Sequence, residues 1–172
     1  MKRFLFYLSI LAISTISAFA QTQLGGTLSF FHTDRPALTS YSISPDVGFS
    51  LNPKWVLGLQ LDIIREEEGT NKNHDFSVSP YVRYNAAEVG PLKLFAEGRI
   101  SYLHSVYKSK DSDFSTIIND VRIQLRPGII YPLYERLDFI AHLGSLAYST
   151  DSKSLSFVFD VSSVNIGFVF KI

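Results

Sequence analysis

Apolar and polar residues alternate at every second position in stretch after stretch of this chain. Between Trp55 and Ile63 the odd positions are all large and apolar, whereas the even positions include Gly58, Gln60 and Asp62. A period of two is typical of a β-strand with one apolar and one polar face, because successive side chains point to opposite sides. The pattern predicts eight strands, near residues 24–32, 41–51, 55–63, 76–85, 92–102, 121–131, 137–148 and 156–171.

Two of these stretches keep the alternation imperfectly. In the seventh, Ile140 and Leu146 fall on the polar face. In the eighth, the apolar positions change phase along the strand, which predicts a β-bulge near Ser162 and Ser163.

The connections between the predicted strands alternate in length. Short, turn-forming segments at 52–54, 87–91 and 132–136 alternate with longer polar segments at 33–39, 67–75, 107–116 and 149–155. Tight turns at one end and longer loops at the other describe an all-β, eight-stranded antiparallel up-and-down barrel.

The first twenty residues have the features of an export signal. Basic residues at positions 2 and 3 precede an apolar run over 4–16, and Ala18 and Ala20 supply the small residues of a cleavage site. The run is shorter than the roughly 20 residues of a membrane-spanning helix. We therefore expect residues 1–20 to be a signal peptide removed after Ala20, and residues 21–172 to form the barrel domain.

The charged residues decide which face of the barrel points inward. A soluble, lipocalin-like barrel has an apolar interior, whereas an outer-membrane barrel turns its apolar face to lipid. Here one face mixes acids and bases, and the other is nearly free of charge over the 9–11 residues that a tilted strand needs to cross hydrocarbon. We therefore predict a transmembrane barrel whose lumen holds one interlocked polar network, formed by Asp46, Gln60, Asp62, Arg83, Glu97, Arg99, Arg122, Arg126 and His142.

Aromatic residues collect at both ends of the predicted membrane band. Such belts are typical of side chains at the two membrane–water interfaces. The predicted interfacial residues are Trp55, Tyr84, Tyr131 and Phe170 at the short-turn end, and Phe30, Tyr41, Phe76 and Tyr102 near the long-loop end.

Three segments resemble the small outer-membrane β-barrel proteins of the Bacteroidetes type. They are NPKWVLGLQLDI (52–63), VRIQLRPGIIYPL (121–133) and the C-terminal strand. In that strand Asn165, Gly167, Phe170 and Ile172 fit the signal that the barrel-assembly machinery recognises, with Ile where an aromatic residue is commoner. The resemblance implies the barrel fold and an integral outer-membrane location, and it implies no single activity. For a barrel in that membrane we expect outer-membrane lipid and lipopolysaccharide as partners.

Composition excludes several other classes of protein. Sixteen basic and sixteen acidic residues give no net charge, which argues against a nucleic-acid partner. The absence of cysteine excludes disulfide scaffolds, thiol chemistry and cysteine-ligated zinc. The four histidines are not in metal-binding spacings, so we expect no metal and no cofactor.

The chain offers two weak candidates for catalysis. His104 with Ser105, or His142 with Ser145, suggests an esterase dyad of a lipid-modifying enzyme. Adjacent residues on a strand point to opposite faces, which disfavours the first pair. We therefore predict a non-enzymatic protein; an outer-membrane lipid-modifying enzyme and a periplasmic lipocalin-like carrier remain the alternatives.

The remaining charges concern the lumen and the outer loops. An eight-stranded barrel is only just filled by its own side chains, so its lumen charges should neutralise one another in a closed interior; an ion path is the alternative. Glu66–Glu68 and Lys108 and Lys110 suit either solvated loops or contacts to lipopolysaccharide. The predicted function is envelope structure or surface contact through the extracellular loops, with the surface partner left open.

Overall fold

The computed structural model describes residues 21–34, 37–68, 71–109, 115–158 and 165–172. The predicted signal peptide and the predicted bulge at Ser162 and Ser163 lie outside these residues. None of the described residues belongs to a helix long and apolar enough to cross a membrane. The described strands are β1 (Gln21–Asp34), β2 (Ala37–Ser50), β3 (Trp55–Glu68), β4 (Asn71–Val89), β5 (Leu92–Ser109), β6 (Ser115–Tyr134), β7 (Leu137–His142), β8 (Ser145–Ser149), β9 (Ser154–Val158) and β10 (Asn165–Lys171).

The strands close into a barrel by antiparallel pairing of neighbours. Strands β1 to β6 pair in chain order, and both β7 and β8 pair with β6, so these two are successive parts of one barrel strand. Likewise β9 pairs with β8, and β10 pairs with β7 and with β1, which closes the ring. The described residues thus form a closed eight-stranded antiparallel barrel, and the predicted fold class is confirmed.

Burial follows the alternation of the sequence. On β3, Leu59, Leu61 and Ile63 are exposed on the outside of the barrel, whereas Gln60 and Asp62 between them are each only 4% exposed. The same reversal of the usual soluble pattern holds around the barrel, with large apolar side chains outside and charged side chains inside. This is the orientation predicted from the sequence, and it is opposite to that of a lipocalin-like carrier.

The strands are longer than predicted, and this corrects the predicted loops. Strand β1 continues to Asp34 and β2 begins at Ala37, while β3 continues to Glu68 and β4 begins at Asn71. Most of the predicted loops 33–39 and 67–75 is therefore strand. The ladder between β3 and β4 continues through polar residues, and cross-strand pairs such as Lys72 Nζ with Glu67 Oε1, 2.9 Å apart, add to it.

The seventh barrel strand is interrupted between β7 and β8. Pro127 on the facing strand has no N–H to donate across the ladder. Its carbonyl oxygen accepts a hydrogen bond from the Leu143 N–H at 3.0 Å. The interruption shifts the alternation by one residue, so that Leu146 faces outward and is 39% exposed. Ile140, before the break, is 1% exposed and lies in the lumen in an apolar cluster with Phe95, Ile130 and Val169.

Candidate functional site: the barrel lumen

A buried carboxylate lies at the centre of the lumen between two arginines. Glu97 is fully buried, and its Oε2 accepts hydrogen bonds from Arg83 Nη2 at 2.8 Å and Nε at 3.1 Å. Its Oε1 forms an ion pair with the Arg126 guanidinium. We call Arg83, Glu97 and Arg126 the central ion-pair cluster. Because both carboxylate oxygens have charged donors, the buried charge of Glu97 is compensated on both sides.

Strand register brings these three residues together. Arg83 on β4 is the cross-strand partner of Glu97 on β5, and Glu97 is the partner of Arg126 on β6. All three side chains point inward from neighbouring strands. The central ion-pair cluster therefore consists of three neighbouring positions across β4, β5 and β6, whose charged side chains point into the lumen.

Two aromatic rings enclose Arg83, and sequence analysis did not identify them as site residues. The guanidinium carbon lies 5.2 Å from the Tyr81 ring centre and 5.0 Å from that of Phe95, which is cation–π distance. Tyr81 faces Gly58 across the strand pair and Phe95 faces Gly128, and a Cβ atom on either glycine would collide with the ring. A large aromatic residue opposite a glycine was the sequence signal for this arrangement.

A second group of hydrogen bonds extends from the central cluster toward the long-loop end. Arg126 Nη2 donates to Gln60 Oε1 at 3.1 Å, and Gln60 Nε2 donates to Asp62 Oδ1 at 2.6 Å. Asp62 also accepts hydrogen bonds from Arg99 Nη2 at 3.2 Å and Ser77 Oγ at 2.6 Å. Arg99 thus faces Asp62 rather than Glu97, its neighbour on the same face of β5.

The other three predicted lumen residues occupy different surroundings. Asp46 accepts a hydrogen bond from the Tyr81 hydroxyl at 2.8 Å, and His142 Nε2 lies 3.1 Å from Arg126 Nη2. Arg122 lies apart from them near the outer rim, where it donates to Asp120 at 2.9 Å. Arg122 is therefore not part of the network around Glu97. It lies on β6 four residues from Arg126, toward the long-loop end, and contacts Asp120 there.

The central cluster lies between two groups of cavities. A cavity of about 400 Å³ at the short-turn end is lined by Arg83, Lys93 and Lys171 among others. A cavity of about 240 Å³ toward the long loops is lined by Arg99 and Arg126, with several serines. No described residue lines both cavities. Glu97 itself is fully buried and lines neither cavity.

The predicted interfacial aromatic residues all lie on the outer surface. Near the short turns, the rings of Trp55 and Tyr84 pair across β3 and β4 with their centres 4.6 Å apart. The predicted residues Tyr131 and Phe170 are also exposed at this end. The predicted aromatic residues toward the long-loop end are exposed as well: Phe30, Tyr41, Phe76 and Tyr102.

The predicted assembly residues lie on β10, at the closing seam of the barrel, and Ile172 follows directly after this strand. Phe170 and Ile172 are 53% and 69% exposed on the outside of the barrel. Asn165 lines the cavity of about 240 Å³ toward the long loops. A Cβ atom on Gly167 would collide with the backbone oxygen of Gly26. Glycine is therefore needed at this position for the close approach of β10 to β1, whatever else recognises it.

The candidate catalytic pairs are not assembled as dyads. His104 Nδ1 lies 2.9 Å from Asn119 Oδ1 near the outside, whereas Ser105 faces inward and donates to Asp75. His142 Nε2 faces Arg126, and among the described residues no hydrogen bond joins His142 to Ser145.

Comparison with known proteins identifies the fold. No family model and no curated protein matches the chain. The N-terminal β-barrel domain of Pseudomonas aeruginosa OprF is similar with a TM-score of 0.63 and 12% identity, over 89% of this chain and 97% of that one. Neisserial surface protein A gives 0.57 and 14%, over 89% and 97%. A major outer membrane protein of Thermus thermophilus gives 0.56 and 11%, over 90% and 100%. At such identities the likeness concerns the fold, which is that of small outer-membrane β-barrels.

Proposed function

We propose that this chain is an integral outer-membrane barrel with a non-conducting lumen, which serves envelope structure or surface contact through its outer strand ends. The observation that carries the proposal is the central ion-pair cluster between two cavities that share no described residue. A conducting pore needs a continuous polar path, whereas here Glu97 is fully buried and held by two arginines. The fold of the similar structures supports the predicted outer-membrane location.

The outer strand ends offer a surface for contact. Strands β5 and β6 continue beyond the outer aromatic residues by about seven residues, or roughly 20 Å at 3.3 Å per residue. Ile117 and Ile118 on this extension are 61% and 42% exposed, and Tyr107 is 36% exposed. Exposed apolar side chains on a projecting sheet are suited to protein or glycolipid contact. This supports lipopolysaccharide or another surface molecule as the partner.

We further infer that residues 1–20 are a signal peptide removed after Ala20, and that Asn165, Gly167, Phe170 and Ile172 are recognised by the barrel-assembly machinery. The exposed positions of Phe170 and Ile172 on the last strand support the second inference. The resemblance of residues 52–63 and 121–133 to Bacteroidetes-type barrels supports an origin in that group.

Fractionation of cells producing the chain tests the proposal. The protein should sediment with the outer membrane and resist extraction by urea at alkaline pH. Release into the soluble periplasmic fraction would contradict the proposal and favour the carrier. A change in lipid A mass on overproduction, lost in a His142→Phe variant, would instead identify the lipid-modifying enzyme.

A further inference from the structure

Imidazole and guanidinium groups follow the apolar band on the outer surface at its long-loop end. Arg65 is exposed on β3, two residues beyond the exposed Ile63 and on the same face. Three histidines hold the equivalent place on other strands, each two residues from a predicted interfacial aromatic residue: His32 beside Phe30, His74 beside Phe76 and His104 beside Tyr102. The first outward position beyond the band is thus nitrogen-bearing on four strands.

The depth of this level in the membrane follows from β3. Arg65 is ten residues from Trp55, which is about 33 Å along a strand at 3.3 Å per residue, and roughly 25 Å along the barrel axis at a tilt of about 40°. The apolar band of an outer-membrane barrel is also about 25 Å tall. Since Trp55 lies among the interfacial aromatic residues of the short-turn end, Arg65 lies at the level of the lipid headgroups on the opposite side.

Two of the three histidines have acceptors within the chain. His32 Nε2 lies 3.2 Å from Asp34 Oδ1, and His104 Nδ1 lies 2.9 Å from Asn119 Oδ1. His74 is exposed and has no hydrogen-bond partner among the described residues. Of the three, His74 is therefore the one whose ring is open to an external ligand.

The positive charge of Arg65 is not neutralised within the described part of the chain, where it forms no ion pair. Glu67, the next outward residue on β3, is paired with Lys72 Nζ at 2.9 Å. Asp75, beside His74 in sequence, accepts a hydrogen bond on the inner side of the sheet. The acids nearest to Arg65 along the two strands are thus engaged elsewhere.

Strand register places three nitrogen-bearing side chains on one patch of β3 and β4. Arg65 is directly opposite His74 in the ladder, with an expected distance of about 5 Å between the Cβ atoms. Lys72 is diagonal to Arg65 on the same face, at about 7–8 Å. Its ammonium group has three donors and keeps two besides the one that faces Glu67. We call Arg65, Lys72 and His74 the outer patch.

We propose that the outer patch binds the phosphate groups of lipid A, the membrane-embedded part of lipopolysaccharide. A guanidinium group matches phosphate oxygens in two parallel hydrogen bonds, and an ammonium group attracts them as a point charge. The exposed Phe76 ring lies next to the patch on the membrane side, where the acyl chains of the same lipid begin. The site rests on the proposed function, of which it names the partner.

Nanodiscs of phosphatidylcholine with increasing mole fractions of a second lipid test this site. Native mass spectrometry of the released barrel counts the lipid molecules that stay bound. The second lipid is lipid A, lipid A without its phosphates, or phosphatidylglycerol. The variants are Arg65→Gln, which removes the charge, and His74→Phe, which removes both ring nitrogens and keeps an aromatic ring. The matched control is Arg136→Gln, which removes the same charge from an exposed residue at the short-turn end.

We expect the wild type to retain lipid A in preference to both other lipids. The mole fraction at half-occupancy should rise about fivefold in each variant, and Arg136→Gln should behave as the wild type does. Equal retention of lipid A with and without its phosphates would overturn the proposal, as would equal retention of phosphatidylglycerol. So would an unchanged half-occupancy in both variants, or a loss in Arg136→Gln equal to that in Arg65→Gln.

The test remains decisive in two further respects. The comparison of the three lipids uses the wild type alone, so it holds even if a variant does not fold. Cell fractionation decides the outer-membrane location independently. A barrel that sediments with the outer membrane and retains no lipid A would therefore overturn this site and leave the proposed location intact.

Discussion

Replacing Glu97 by glutamine removes one buried charge while keeping the shape of the side chain. The structure gives the expected effect. Glu97 is the only anion within ion-pair distance of either Arg83 or Arg126 among the described residues. Breaking a buried ion pair by removing one partner costs about 3–5 kcal/mol, because the other charge stays buried.

The loss of the Glu97 charge should affect the two arginines unequally. Arg126 Nη2 keeps Gln60 Oε1 as an acceptor at 3.1 Å. Among the described residues, Arg83 keeps the Tyr81 and Phe95 rings and one amide oxygen to share with Arg126. We therefore expect Glu97→Gln to lower the free energy of unfolding by about 3 kcal/mol, the lower end of that range.

Urea unfolding in phospholipid vesicles, followed by tryptophan fluorescence, measures this difference. Glu88→Gln is the matched control, since Glu88 pairs with Lys93 at 3.2 Å on the exposed rim, where an ion pair contributes about 0–1 kcal/mol. An equal, small effect of both substitutions would refute the reasoning, because the central cluster would then add nothing beyond a surface pair.

Three further predictions concern the orientation, packing and topology of the barrel. Leu61→Arg on the lipid face should lower the free energy of unfolding by about 2–4 kcal/mol in vesicles, and a wild-type urea midpoint would mean that this face does not contact lipid. Gly58→Ala should destabilise the barrel because the new Cβ collides with the Tyr81 ring; Tyr81→Leu in the same chain should recover part of the loss, and no recovery would locate the strain elsewhere. We expect the long-loop end of the barrel to face the exterior and the short turns to face the periplasm, so a tag inserted at Asn71 should be labelled on intact cells and one at Pro91 should not; the reverse pattern would contradict this topology.

Much of the fold was predictable because alternation needs no long-range information. The residues from Trp55 to Ile63 specify both a strand and its outward face. The ends of strands were less predictable, since the ladder between β3 and β4 continues through polar residues with no apolar pattern to mark it.

The partners inside the lumen depend on register, which the sequence pattern leaves open. The short turn between β4 and β5 pairs Ala87 with Leu94, but a bulge at Asn85–Ala87 then shifts the register by one residue. Without this bulge Glu97 would be opposite Tyr84 rather than Arg83. Similarly, the break before Ser145 shifts the register of the seventh strand by one residue, so that Leu146 faces outward.

A closed lumen is the central claim, and planar-bilayer recording of the purified wild-type protein tests it most directly. The arrangement of Arg83, Glu97 and Arg126 predicts a silent bilayer after verified insertion, and brief openings in Glu97→Gln at most. Steady, ion-selective conductance of the wild type would contradict the account, because it would require a continuous path through the central ion-pair cluster.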